Sequence, residues 1–271
     1  MPLAIAYSRG SSGVHAPLIT VEVHLSNGLP ALNIVGLAEA AVKESKDRVR
    51  SAIINSGFEF PNQRITINLA PADLPKEGGR FDLAIALGIL AASQQIFSST
   101  LTEYECVGEL SLGGELRAVK GILPVVIASR NAGRKLLFPH ASTTEASLIE
   151  HPGLFAAHHL LDVCEHLSGK QCIPATHANY QSSCSSFDID FAEVQGQYQA
   201  KRALEIAAAG SHNVLMIGPP GTGKSMLAAR LATILPPLNT LQAQETAVIA
   251  SISQQSLKPR NWSQPPFRNP H

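Results

Sequence analysis

Eight residues constrain this chain more than any other stretch: Gly218-Pro219-Pro220-Gly221-Thr222-Gly223-Lys224-Ser225. They fit G-x-x-x-x-G-K-[ST], the loop whose backbone N–H groups close around phosphates. His212-Asn213-Val214-Leu215-Met216-Ile217 ends at the first glycine and is predicted to be a buried parallel strand. Met226-Leu227-Ala228-Ala229-Arg230-Leu231-Ala232 follows with good helix formers. Strand, glycine loop and helix together place loop amides and a positive helix end against negative charge. In this reading the loop holds ATP. Lys224 reaches the β- and γ-phosphates, and the Ser225 hydroxyl ligates Mg²⁺. The competing reading is a chance glycine-rich turn ahead of a helix. The Lys-Ser pair at the required offset and the apolar run in front weigh against it.

The remainder of the chain predicts an α/β protein. It has 271 residues, 45% of them hydrophobic, enough for an ample core in one to three domains. Lys+Arg and Asp+Glu both total 21, so bulk charge gives a nucleic-acid partner no support. Cys106, Cys164, Cys172 and Cys184 form no C-x-x-C and no metal-ligand spacing, which predicts reduced thiols. No basic-apolar leader opens the sequence and no apolar run is long enough to span a bilayer. The expectation is a soluble cytoplasmic chain without a membrane partner.

Periodicity predicts the elements. Ile19–Leu25 and Ala31–Gly36, joined through Ser26-Asn27-Gly28, read as a β-hairpin. Residues 39–55 read as a helix with Val42, Val49 and Ile53 on one stripe and Lys43, Lys46 and Arg50 on another. That basic face suits nucleic acid or an acidic partner, but a solvated face beside Glu44 and Asp47 is the favoured reading. Gly57 stops the helix. A strand at 64–69 leads through a loop to Arg80, and then to a nearly all-apolar helix from Phe81 to about Ala92. Segments 105–112 and 115–117 flank Gly113-Gly114 as a second hairpin. Helices near 121–129, after Ser142 and from Leu161, with strands at 135–138 and 154–156, complete a first domain over 1–170. His158, His159 and His166 lack metal-site spacing and read as polar surface histidines. Residues 171–188, ending in a Ser-rich run, read as a linker. The second domain, 189–271, opens with Asp188-Ile189-Asp190-Phe191 and a helix over 200–209. A later helix is predicted over 240–251.

A phosphate loop that hydrolyses ATP also needs a strand ending in an acidic pair. Glu245 is the only acid after Lys224, and it falls in a helical stretch. The expectation is an ATP-binding portion of a domain, cut short inside it, without the parts for efficient hydrolysis.

Val194-Gln195-Gly196-Gln197, Ala200-Lys201-Arg202-Ala203-Leu204, His212-Asn213, Gly218 to Met226 and Leu235-Pro236-Pro237-Leu238 resemble the magnesium-chelatase-like branch of AAA+ ATPases. Asn33-Ile34-Val35-Gly36-Leu37, Val42-Lys43-Glu44-Ser45, Asn68 to Asp73 and Gly78-Gly79-Arg80-Phe81-Asp82-Leu83 resemble the N-terminal part of the YifB/ComM family, and Pro266 to His271 resembles a further stretch of it. The resemblance spans the whole chain. It implies an N-terminal domain of the Lon-protease-like (ribosomal S5 domain 2-like) fold, followed by part of an AAA+ ATP-binding domain. It further implies a ring-forming motor that acts on DNA, driving branch migration during natural transformation. Carried over, Val194 and Gln197 lie near the adenine, and Gly218 to Met226 hold the triphosphate. Lon-like proteases use a Ser–Lys dyad. Here Arg80 stands at the nucleophile's place, and the lysine's expected place falls near Leu123, with Lys120 one turn early. Without a hydroxyl or thiol at position 80 there is no acyl-enzyme nucleophile, so the domain reads as a scaffold, with Arg80 and Lys76 as DNA contacts. The alternatives are a magnesium-chelatase-type ATPase subunit, a Lon-like peptidase, and a remnant in which only the first domain folds.

Overall fold

The computed structural model describes residues 3–36, 40–74, 76, 78–177, 189–253 and 263–267. Leu37, Pro75, Glu77, residues 178–188 with Cys184 and the Ser-rich run, Trp262, and Arg268 to His271 lie outside the described residues. So do the side chains of Val42 and Lys43. The chain divides into two compact units, residues 1–179 with 248–256, and residues 180–247 with 257–271.

The first unit is mixed α/β. Its elements, in order, are β1 (Leu3–Arg9), β2 (Leu18–Ser26), β3 (Ala31–Val35), α1 (Ala40–Asn55), β4 (Arg64–Ala70), α2 (Asp82–Ala92), α3 (Ser98–Leu101), β5 (Tyr104–Cys106), β6 (Glu109–Leu110), β7 (Leu116–Arg117), α4 (Ile122–Asn131), β8 (Lys135–Pro139), α5 (Thr143–Ala146), β9 (Leu154–Ala157) and α6 (Leu160–Leu167). Seven strands form one sheet in the order β3-β4-β2-β1-β5-β8-β9. β1 and β2, and β2 and β4, pair antiparallel; the remaining neighbours are parallel.

The first predicted hairpin is corrected. Both strands exist, but β4 lies between them, antiparallel to β2 and parallel to β3. The reason is burial. Ile65, Ile67 and Leu69 of β4 are all fully buried, whereas β3 is half-buried at best and takes the sheet edge. The chain from β3 returns through α1 to β4, the crossover that parallel neighbours require. Only the β6–β7 part of the second predicted hairpin pairs as one, with Leu110 opposite Leu116; β5 joins the large sheet instead.

Helix α2 is buried at every residue and packs on β1 and β2. It approaches so closely that a Cβ at Gly88 would stand 2.6 Å from Val23 Cγ2. Asp82, at the start of α2, is fully buried. It accepts hydrogen bonds from Arg48 Nε (2.8 Å), Ser45 Oγ and the Leu110 N–H (3.3 Å), which ties α1, α2 and β6 together. Burial pushes the Asp82 carboxyl upward, against the pull of Arg48 and Ser45. Arg9 clamps the buried Glu105 carboxylate with two hydrogen bonds at 2.6 and 2.8 Å, joining β1 to β5.

The second unit is smaller. It holds a 3₁₀ turn at Phe191–Glu193, α7 (Tyr198–Gly210), α8 (Lys224–Arg230) with a 3₁₀ turn at Leu231–Thr233, and the start of α9 (Thr240–Ile252). Its buried cluster is Phe191, Val194, Leu204 and Leu227, with Ala200, Met216, Leu231 and Ile234 packed against it. The strand predicted over 212–217 does not form. Among the described residues of this unit there is no neighbouring strand to pair it, and Leu215 and Ile217 are 83% and 88% exposed. No helix among the described residues is long and apolar enough to cross a membrane.

Candidate phosphate-binding site

The loop from Gly218 to Ser225 is held by its own sequence. Gly221 and Gly223 take positive φ (80° and 81°), a conformation that costs other residues strain. Thr222 Oγ1 donates to the Pro219 carbonyl at 2.9 Å, which closes the turn. Gly223 caps α8, whose first intrahelical bond runs from the Leu227 N–H to the Gly223 carbonyl at 3.0 Å. The N–H groups of Lys224, Ser225 and Met226 therefore have no acceptor within the helix. Lys224 folds back over the loop. Its Nζ donates to the carbonyls of Gly218 (2.8 Å) and Pro219 (2.7 Å) and to Thr222 Oγ1 (3.3 Å).

Neighbouring segments anchor this loop. Gln197, itself at positive φ, donates through Nε2 to the Thr222 carbonyl at 3.2 Å. Val194 is buried in the small core, and its carbonyl accepts from Lys201 Nζ at 3.0 Å. Arg230 of α8 pairs with Glu193 at 2.6 Å and donates to the Asp190 carbonyl at 3.1 Å. The Phe191 N–H donates to Thr233 Oγ1 at 3.2 Å. These bonds hold the 190–197 segment against the helix that the loop opens. Pro220, Ser225 and Met226 lie with the other loop residues at the entry to α8; Met226 is exposed.

The residues present fit a triphosphate and its Mg²⁺. One lysine lies on loop carbonyls that an anion can replace, two glycines hold the turn, and a hydroxyl follows at Ser225. Glu245 sits in α9.

The first unit contains a different cleft, of about 460 Å³, lined by Ser11, Gly79, Arg80, Glu109, Lys120 and Gly121 among others. Arg80 donates to the Gly10 carbonyl (3.1 Å) and the Lys120 carbonyl (2.6 Å). Leu123 is fully buried. Lys76, expected at a surface contact, is fully buried and donates to the Pro71 carbonyl. Burial pulls its ammonium pKa down, because the apolar surroundings penalise the charged form.

Two of the three histidines read as surface groups have structural duties. His159 caps α6 by accepting from the Leu161 N–H at 3.1 Å. His166 is half-buried beside Tyr104 and Phe155 and accepts through Nδ1 from the Ile173 N–H at 3.0 Å. His151, which sequence reading passed over, is buried between Ser129 Oγ (3.1 Å) and the Gly153 N–H (2.9 Å). No group of three or more His, Cys, Asp or Glu among the described residues could hold a metal ion, and Cys106, Cys164 and Cys172 are free thiols.

Residues 21–142 match a family model described as subunit ChlI of Mg-chelatase, and residues 190–271 match one described as magnesium chelatase, subunit ChlI. Over its full length the chain is 52% identical to "Competence protein ComM" of Haemophilus influenzae, covering 54% of that protein. It is 53% identical to "Uncharacterized protein YifB" of Salmonella typhimurium, covering 53% of it. Identity to "Uncharacterized protein Rv2897c" of Mycobacterium tuberculosis is 37%, again over the full length and 54% of the relative. The chain thus spans about half the length of the curated relatives it matches.

Proposed function

The chain belongs to the YifB/ComM family, and on that premise we propose that residues 218–225 bind the triphosphate of ATP with Mg²⁺. The observation that carries the reading is Lys224 Nζ resting on the Gly218 and Pro219 carbonyls at the entry to α8. Lys224 would hold the γ-phosphate in place of those carbonyls, and the Ser225 hydroxyl would ligate the Mg²⁺ that offsets the triphosphate charge. Gln197 positions the loop from one side, and Val194, buried in the small core, anchors the segment that carries Gln197; by family resemblance both would lie near the adenine.

Residues 1–170 are read as a Lon-like domain without a Ser–Lys dyad, 171–188 as a linker and 189–271 as the nucleotide-binding portion of an AAA+ domain, although residues 248–256 group with the first unit. The whole protein acts in the cytoplasm as a ring-forming motor on DNA. The name of the Haemophilus relative, a competence protein, supports this reading. A magnesium-chelatase-type subunit is the second reading, favoured by the descriptions of both matching family models. Branched DNA and a porphyrin substrate, offered in parallel to a full-length relative, separate the two.

The direct test is equilibrium binding of a fluorescent ATP analogue with and without Mg²⁺, for wild type and Lys224→Ala. Wild type is expected to bind with Mg²⁺ dependence and the variant at least about tenfold more weakly, since a charge-assisted contact is lost. Equal binding by the two would sink the assignment.

A further inference from the structure

A second charged concavity lies in the first unit, on the outer side of α1. Lys46, Asp47 and Arg50 form one wall, the start of the edge strand β3 another, and Phe60 to Gln63 the third, around a groove of about 210 Å³. Arg50 is exposed, with its guanidinium 5.0 Å from the centre of the half-buried Phe60 ring. Among the described residues no carboxylate pairs with Lys46 or Arg50, and Asp47 is the only acid lining the groove. Asn62 and Gln63 add exposed amides at the rim. Lys46 and Arg50 lie four residues apart on one helix face, so they present as neighbours.

We propose that this groove binds a single strand of nucleic acid. The two cations take successive phosphates, a base stacks on the Arg50–Phe60 platform, and the amides of Asn62 and Gln63 meet its edge. The chemistry is that of sequence-tolerant single-strand sites, where cations follow the backbone and an aromatic or guanidinium plane receives the base. Zero net charge over the chain does not oppose it, because binding responds to the local field of the groove. The proposal rests on the reading of the whole protein as a DNA-acting one, and it adds a contact far in sequence from the phosphate loop.

The test is fluorescence anisotropy of a labelled oligothymidylate with the full chain, titrated at several salt concentrations. Lys46→Glu with Arg50→Glu is expected to weaken binding about tenfold or more at low salt and to flatten the logarithmic salt dependence by roughly 0.7 per cation removed. Phe60→Leu keeps an apolar side chain against the core, so it is expected to weaken binding about tenfold with the salt dependence unchanged. Arg50→Gln, on an exposed helix face, serves where charge reversal disturbs folding. Wild-type binding that all these variants retain overturns the groove and leaves the DNA reading standing. No wild-type binding overturns the groove, while the DNA reading is judged by the branched-DNA assay on a full-length relative and the nucleotide assignment by its own titration. Displacement of the DNA by an oligoglutamate peptide, together with indifference to Phe60→Leu, overturns the proposal in favour of an acidic protein partner.

Discussion

Helix α2 and the loop at Gly218 have similar apolar surroundings in sequence and opposite fates in the fold. Every residue of α2 is buried, between a sheet that supplies β1 and β2 and a helix that supplies Arg48 and Ser45. The run from His212 to Ile217 is just as apolar at its centre, yet Leu215 and Ile217 stand almost fully exposed, with no strand beside them among the described residues. An apolar pattern specifies what a segment can bury, and the partner decides whether it does. The larger buried core therefore belongs to the first unit, and the proposed phosphate loop to the second, where Phe191, Val194, Leu204 and Leu227 form the buried cluster.

The largest effect expected from that contrast is at Gly88. Gly88→Val drives methyl groups into Val23 and is expected to cost the first unit about 3 kcal/mol, at the upper end of overpacking. Leu227→Ala empties part of the small core. It is expected to cost the second unit about 2 kcal/mol, the low end for Leu→Ala, because its surroundings are partly exposed. Thermal melts followed by near-UV dichroism and by limited proteolysis read both. If Leu227→Ala shifted the first unit's transition as far as Gly88→Val does, the division of stability between the units would be wrong.

A smaller effect is expected from pH. His151 and His166 each accept a backbone N–H through Nδ1, which leaves the proton on Nε2 and the ring neutral. Burial lowers both pKa values from 6.5, and positive neighbours, Arg130 for His151 and Lys135 for His166, add to it. The unfolded chain therefore binds protons that the folded chain refuses. Their contribution is full above about pH 6.5 and is lost as pH falls through that value toward the lowered folded pKa. Urea midpoints between neutral and mildly acidic pH are expected to decline in wild type and to decline less in His151→Gln and His166→Gln. An identical decline in all three would contradict the neutral assignment.

Much of this fold was legible in the chain because local pattern and burial agree there. β4 follows period two and α1 period 3.6, with Ile65, Ile67, Val49 and Ile53 inside, while α2 is apolar on every side and buried on every side. β1 escaped the reading, although Ala4 and Ala6 alternate inward, because small alanines give a weak alternation signal beside polar Ser8 and Arg9. Strand order is non-local. Nothing in residues 19–36 says that β4 will enter between β2 and β3. The candidate site was legible for the opposite reason. Glycines at positive φ, a lysine and a hydroxyl at set offsets are a local requirement of the phosphate loop, whereas Gln197 entered only through family resemblance, and its bond to the Thr222 carbonyl has no signature in the sequence. The duties of Ser45 and Asp82 as buried partners of Arg48, and of Lys76 as a buried donor, were hidden because polar residues read as surface until their partners are known.

The division between a stable first unit and a nucleotide-responsive second one is tested most directly by hydrogen exchange of the whole chain, with and without Mg²⁺-ATP. Added nucleotide is expected to slow exchange in peptides covering 194–201 and 212–231, to leave β1, β2 and α2 unchanged, and to produce no protection anywhere in Lys224→Ala. Protection that persists in Lys224→Ala, or that appears only in the first unit, would contradict the account.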